Sequence, residues 1–364
     1  MAESYPMVMS ADAQNMRRAL KALAPGSELR EGLKRIQHGH TGALIVLGYD
    51  DSVKDLCSGG FELDIEFTGA RLRELAKMDG AVIISSDLTR IRRANVQLIP
   101  DSAVSTAESG MRHRTAERMA RQTGTPVISL SASMRVITVF VGGLRKTLDE
   151  PETLLSRANL ALDTLDRYSQ RLEEDLSTLT ILEQRENVTL RDVATVLQRM
   201  EMIRRIHSEI AGYLEELGTE GRLLALQLDD LVRGSASQRS LVIHDYIRSL
   251  ERIDQAEDAL RELDGESLVN LATIATVVGH TAVDTSDLDR IVAPRGVRAL
   301  TMVPRLPWSI IEELSRKWTT LAALRLASTE DLQAVEGVGP YRAALIRESL
   351  KRQQRAASPE SVGW

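Results

Sequence analysis

Aromatic side chains make up only 3% of this 364-residue chain, so its cores have to be built from aliphatic residues. Cys57 is the single cysteine, which excludes an intramolecular disulfide and a cysteine-based zinc centre and suits a reducing compartment. No run approaches the roughly 18 consecutive apolar residues of a membrane-spanning helix, and the N-terminus lacks the basic-then-apolar pattern of an export signal. A soluble, cytoplasmic protein that does not enter a membrane is therefore expected. Of ten prolines, none falls between Glu152 and Ala293, although both flanks carry them, so the span between is free to form long helices. Positive charge is also short: the net charge of −6 argues against a chain coated in nucleic acid. Pro294 to Arg355 is the exception, with eleven Lys or Arg against six Asp or Glu.

At this length two or three domains are expected. Residues 1 to about 10 read as a loose terminus. Ala11 to Leu23 and Ser27 to His38 read as helices, the second with Leu29, Leu33 and Ile36 on one face. Apolar or alternating runs then predict strands at Gly42–Gly48, Phe61–Phe67, Asp79–Ser85, Arg90–Leu98, Thr125–Leu130 and Arg135–Val141. Thr68 is placed to cap a helix from Ala70 to Met78. Helices alternating with strands predict an α/β domain over 1–147, a mixed sheet flanked by helices.

Two stretches of that domain carry chemistry. In Glu108 to Ser131, Arg112, His113 and Arg114 stand just ahead of a predicted helix with Thr115 as N-cap, an apolar stripe of Ala116, Met119 and Ala120, and Gly124 and Pro126 as stop signals. Unsatisfied N–H groups at a helix start, the helix dipole and two guanidinium forks suit a polyphosphate. The alternative is an exposed basic helix start paired with Glu108 or Glu117. The second stretch, Asp79-Gly80-Ala81, lies where a helix hands over to a strand. A carboxylate beside a glycine with no side chain to block a ligand can hold a divalent metal on phosphate oxygens or accept a hydroxyl proton, although an isolated DG turn is common.

Beyond 147, Leu155, Ala158, Leu162, Leu165, Ser169, Leu172, Leu176 and Leu179 form a heptad seam, which can join helices of different chains or pack within one. Amphipathic helices follow at Leu190–Leu217, Gly221–Leu231 and Gln238–Leu263, completing a helical spine over 148–292. His207 and His244 read as helix-face residues rather than ligands. In the basic segment, Glu336-Gly337-Val338-Gly339-Pro340 joins a helix Thr329–Val335 to a helix Tyr341–Lys351, which resembles a helix-hairpin-helix. The glycines of Gly337-Val338-Gly339 let backbone amides approach a DNA phosphate, and Arg342, Arg347, Lys351 and Arg352 add charge. Val303 to Trp318, with a helix from Ile310, reads as a degenerate partner hairpin. The alternative is that Gly337 and Gly339 only close an interhelical turn. A module over 293–357 and a disordered tail over 358–364, ending at Trp364, complete the expected organisation.

Asp79-Gly80-Ala81 followed by Arg112-His113-Arg114-Thr115-Ala116-Glu117-Arg118 resembles the paired motifs of diadenylate cyclases, and the helical middle and C-terminal hairpin narrow the resemblance to the DisA family, the DNA integrity scanning proteins. The resemblance spans nearly the whole chain. One position departs: Met111 stands where the family usually has threonine, so a hydroxyl able to contact phosphate is missing. The resemblance implies condensation of two ATP into cyclic di-AMP across a face-to-face dimer. Asp79 would hold Mg2+ or Mn2+ and help activate the 3′-hydroxyl, and Arg112, His113, Arg114 and the helix start would hold the triphosphate. Gly80, Ala81, Met111 and Thr115 would border the nucleotide, Leu98 would lie against adenine, and Ser131 would contact phosphate. It also implies an octamer and sequence-independent binding of branched DNA that restrains synthesis. The other readings of the residues are a non-catalytic, nucleotide-sensing DNA-binding scaffold, or a repair nuclease, which would need several converging carboxylates where only Asp87 and Asp101 accompany Asp79.

Overall fold

The computed structural model describes residues 10–356 apart from 135 and 285. The expected terminus over 1–9, the tail at 358–364 and Arg135 therefore lie outside the described residues. Two compact units emerge, one made of 1–160 with 210–226 and the other of 161–209 with 227–364.

The first unit is built on eight strands: β1 (Ala43–Leu47), β2 (Cys57–Ser58), β3 (Phe61–Glu66), β4 (Ala81–Ile84), β5 (Arg90–Leu98), β6 (Val127–Leu130), β7 (Ile137–Val141) and β8 (Leu144–Thr147). They form one sheet in the order β2-β5-β4-β1-β6-β7-β8, with β3 also paired to β5. Only β1 and β4 run parallel, so the sheet is mixed. Its helices are α1 (Ala11–Ala22), α2 (Glu28–His38), α3 (Asp51–Lys54), α4 (Gly69–Leu75) and α5 (Met111–Thr123).

Strand periodicity sorts the core into two layers. Ala43, Ile45 and Leu47 of β1, with Val82, Ile84, Ile128, Leu130, Val139 and Val141, join Leu33, Ile36 and Leu72 of α2 and α4. Leu44 and Val46 join Ala81, Ile83, Val127 and Phe140 beneath Ala116, Met119 and Ala120 of α5. Each fully buried Val, Leu, Ile, Met or Phe side chain among them contributes about 1.5–3 kcal/mol. Ser10, Ser27, Asp50 and Thr68 cap α1 to α4 through their side chains.

The long proline-free span supplies α6 (Pro151–Gln184), α7 (Leu190–Leu217) and α8 (Arg222–Leu231), each divided between the two units, and the second unit continues with α9 (Ser235–Tyr246), α10 (Ile253–Glu262), α11 (Gly265–Val269) and α12 (Leu271–Val277). Leu162, Leu165, Leu172 and Leu179 of the expected seam are buried within this chain. The single helix expected over 238–263 is instead broken after Tyr246. Distant groups take over its backbone there: Arg248 N–H donates to Val278 O at 3.2 Å, and His280 Nε2 lies 2.8 Å from Tyr246 O.

The last helices, α13 (Val297–Thr301), α14 (Trp308–Lys317), α15 (Leu321–Leu326), α16 (Thr329–Gln333) and α17 (Pro340–Ala356), enclose a separate aliphatic core of Leu300, Val303, Leu314, Leu332, Val338 and Ile346. This module is bolted to the neighbouring helices of its own unit. Asp245 of α9 accepts the N–H groups of Gly296, Val297 and Arg298 at the start of α13, and Glu183 of α6 accepts from Arg298 at 2.7 Å and Tyr246 at 2.8 Å.

Candidate active site and DNA-contacting hairpin

The site begins with a helix start that lacks a side-chain cap. Gly110, not Thr115, is the N-cap of α5; it has no side chain to offer, and Arg114 N–H donates to its carbonyl at 2.9 Å. Arg112, His113 and Arg114 thus lie inside the first turn rather than ahead of it, and Thr115 is half-buried in the second. His113 explains the shift. Its ring is buried with its Nδ1 3.3 Å from Ser129 Oγ and its edge against Phe140, so a polar residue extends the buried stripe back by one turn. Burial pushes the His113 pKa below the usual imidazole range, with Glu108 opposing and Arg145 assisting, so the ring is neutral at pH 7.

Four segments distant in sequence end together at one edge of the sheet. Asp79 and Gly80 precede β4, Gly42 precedes the parallel β1, and Ser131 follows β6, whose Leu130 pairs with Ala43. Arg112 crosses this edge, its Nη2 3.3 Å from Asp79 Oδ1. Gly42 makes room for it, because a Cβ there would lie 2.6 Å from Arg112 Nη1 and 3.0 Å from Leu130 O. Gly42→Ala is therefore expected to push the guanidinium off its line and weaken the binding of a polyphosphate at this edge about ten- to hundredfold with the melting temperature retained. Titration with tripolyphosphate beside a thermal melt checks this, and unchanged affinity would detach Arg112 from the site.

Asp79 projects freely, its side chain 99% exposed, and the alternative partners of the basic helix start are engaged elsewhere. Glu108 pairs with Arg145 at 2.6 Å, and Glu117 with Arg121 at 2.7 Å and Thr106 at 2.5 Å. Neither glutamate therefore holds Arg112 or Arg114, and Arg112 has only its long contact with Asp79 to exchange for an anion. Gly80 serves a different need from the one expected. Asn95 bulges β5 at φ +54°, and a Cβ on Gly80 would lie 2.7 Å from its carbonyl carbon, so the glycine admits a strand backbone rather than clearing space for a ligand.

The remaining expected residues spread over this edge and the layer beneath. Met111 is 77% exposed at the first position of α5. Ala81 is buried at the start of β4, and Leu98 is buried under α5 and paired with Cys57. Ser131 donates its N–H to Val136 O at 3.0 Å, and its Oγ accepts from Met134 N–H at 3.2 Å. Gly42 and Ser129 had escaped the sequence reading. A serine inside the apolar run Val127-Ile128-Ser129-Leu130 was the available signal, whereas Gly42 read only as a strand boundary.

In the C-terminal module, Gly337 takes φ +79° at an exposed turn between α16 and α17, and Gly339 lies open beside it. Val338 differs from expectation. Its side chain is buried and its N–H donates to Val335 O at 3.1 Å, so it anchors the turn rather than facing a phosphate. Arg342 braces the turn, its Nη1 donating to Gly337 O at 2.6 Å, and Arg347 is held by Thr329 at 2.8 Å.

Three family models match in turn: the DisA bacterial checkpoint controller nucleotide-binding region at 30–144, its linker region at 148–286, and a helix-hairpin-helix motif at 320–349. The DNA integrity scanning protein DisA of Acidothermus cellulolyticus is 53% identical over 344 residues, covering 93% of each chain. The chain belongs to the DisA family of diadenylate cyclases. DisA of Streptomyces coelicolor is similarly close, 51% identical over 342 residues and covering 93% of this chain and 91% of its own. Among solved structures, DacA from Staphylococcus aureus shares 22% identity over 38% of this chain and 89% of that chain at a TM-score of 0.28, a likeness too slight to inform the fold. The nucleotide-binding match contains the whole Asp79–Arg112 edge, and the helix-hairpin-helix match makes the C-terminal module a DNA-binding region of the family. Among the described residues, no helix is long and apolar enough to cross a membrane.

Proposed function

We propose that the edge formed by Asp79, Arg112 and the start of α5 binds the triphosphate of ATP, and that two such domains meet face to face to join two ATP into cyclic di-AMP. The observation that carries this reading is the uncapped start of α5 with Arg112 lying across Gly42 to Asp79. N–H groups of the first turn, together with the Arg112 and Arg114 guanidinium groups, supply donors for phosphate oxygens. Ser131 adds a hydroxyl at the same edge, Leu98 lends an apolar surface to adenine, and neutral His113 fixes the helix start through Ser129.

Each 3′-hydroxyl oxygen attacks the other nucleotide's α-phosphorus. The bond from that phosphorus to the leaving pyrophosphate breaks, and two pyrophosphates depart with the two hydroxyl protons released. Asp79 orients the attacking hydroxyl and helps deprotonate it. Asp79 offers an almost fully exposed carboxylate, which fits a cation shared with the nucleotide's own phosphates, the habit of Mg2+ and Mn2+. Such an ion, held at Asp79, would neutralise charge developing on the phosphates.

Because one edge serves one ATP and the product is two-fold symmetric, activity requires a second copy. Specific activity is expected to fall with dilution as dimers separate; a value constant down to the monomer would refute the face-to-face assembly. We place the protein in the cytoplasm, as a homo-octamer whose C-terminal modules bind branched DNA without reading sequence and restrain synthesis when occupied.

A further inference from the structure

β1, β4 and α5 all start at the Asp79–Arg112 edge and run away from it. Their far ends, at Leu47 and Gly48, at Ser85, and at Thr123 and Gly124, line a cavity of about 500 Å³ with α1 along one side. The thirteen residues of α5 put about 20 Å between edge and cavity, so the two are separate places on the domain. Open α/β sheets receive ligands outside the carboxyl ends of neighbouring parallel strands, and β1 and β4 are the parallel pair of this sheet. The volume is that of a small-molecule site.

The walls carry two kinds of chemistry. On one side α1 presents Arg18 and Asn15, whose side chains make no ion pair or hydrogen bond among the described residues. Arg92 of β5 joins them. Its Nη1 donates to Asp64 Oδ1 at 2.6 Å, but the same oxygen also takes Arg90 at 2.9 Å, so one carboxylate is divided between two guanidinium groups. On the other side stand acceptors. Asp50 spends Oδ1 on Ser52 Oγ at 2.6 Å and Val53 N–H at 3.0 Å, while its Oδ2 takes no hydrogen bond among the described residues. α5 ends beside it, and the last carbonyls of a helix lack partners within the helix. Neither Arg18 nor Arg92 is paired with Asp50 across the cavity, among the described residues. The floor between them is aliphatic, with Ala19 and Leu47 buried and Ala22 and Leu88 half-buried.

We propose that this cavity binds a small sugar phosphate, its phosphate held by the Arg18 and Arg92 guanidinium groups and its hydroxyl groups donating to Asp50 and to the carbonyls that end α5. Such a molecule unites what the walls ask for: a dianion for the arginines, hydroxyl donors for the acceptors and a C–H face for the floor. Inorganic phosphate would answer the arginines alone, and a free sugar the acceptors and floor alone. The site rests on neither the nucleotide nor the DNA reading of the chain.

The test is calorimetric titration of the full-length protein with ribose 5-phosphate and with glucose 6-phosphate, beside inorganic phosphate and ribose, for the native chain, Arg18→Gln and Arg112→Gln. Glutamine is nearly as good a helix former as arginine, so Arg18→Gln at this exposed position of α1 should melt as the native chain does. The native chain is expected to bind one of the two sugar phosphates at least about tenfold more tightly than either inorganic phosphate or ribose. Arg18→Gln should weaken that binding about ten- to hundredfold, and Arg112→Gln should leave it unchanged. Absence of binding by the native chain to both sugar phosphates up to about 10 mM would overturn the site, as would native affinity in Arg18→Gln. Weakening in Arg112→Gln alone would place the phosphate at the Asp79 edge and overturn it equally.

Discussion

Asp79→Asn is expected to lower cyclic di-AMP synthesis by about a thousandfold while leaving the melting temperature and DNA affinity where they were. The amide keeps the size of the carboxylate and can still accept a hydrogen bond from Arg112, but it carries no charge for a divalent cation and is a far poorer base. Stability should be indifferent. The side chain is 99% exposed and its one ion pair, at 3.3 Å, is of the surface kind that contributes little. Turnover resolved by mass, beside a thermal melt of the same sample, separates the two quantities. Turnover retained at a tenth or more of the native rate would remove Asp79 from the mechanism.

Asp245→Asn should act in the opposite way, on stability at a distance from any nucleotide. Asp245 is fully buried and spends both oxygens on α13: Oδ1 accepts from Gly296 and Val297 at 2.6 and 2.7 Å, and Oδ2 from Arg298 at 2.8 Å. An asparagine can supply only one of these oxygens, and its NH2 would then face an N–H donor. The cost is about 2–4 kcal/mol, a fall of about 5–15 °C in the melting of the unit that carries the C-terminal module.

The pH dependence carries a second signature. Burial, with Glu183 nearby, pushes the Asp245 carboxyl up to about 7 against the pull of its N–H donors, and Glu183 is shifted upward as well, again chiefly by burial. A carboxyl whose folded pKa exceeds its unfolded value near 3.8 holds its proton more tightly when folded. The contribution of this carboxyl to stability is thus greatest below about 4, declines as pH rises to about 7 and levels off above. Melts at pH 5 and pH 8 should show that decline in the native chain and a smaller one in Asp245→Asn. Equal melting of the two proteins at pH 8 would show that the carboxylate does not hold α13.

The elements that the sequence showed clearly are those whose residues agree with their surroundings. Leu190–Leu217 and Arg90–Leu98 run as expected because nothing in them conflicts with periodicity, and Thr68 caps α4 as its position predicts. What stayed hidden depends on partners far along the chain. The break after Tyr246 has no proline or glycine to announce it and is set by Val278 and His280. The polar strand β8 exists because β7 offers it an edge, and β2 is only two residues long. At the site, Asp79 and the Arg112 cluster stood out as residue types suited to phosphate, yet Gly42 shows its purpose only once Arg112 is seen lying across it. His113 reads as exposed until Ser129 supplies its partner.

The central claim is the joining of two ATP molecules. Its most direct test is incubation of the purified protein with ATP and Mg2+ or Mn2+, with products resolved by mass. Cyclic di-AMP with two equivalents of pyrophosphate is the predicted result; ATP that binds but returns unconverted with either metal, at protein concentrations that support dimers, would contradict it.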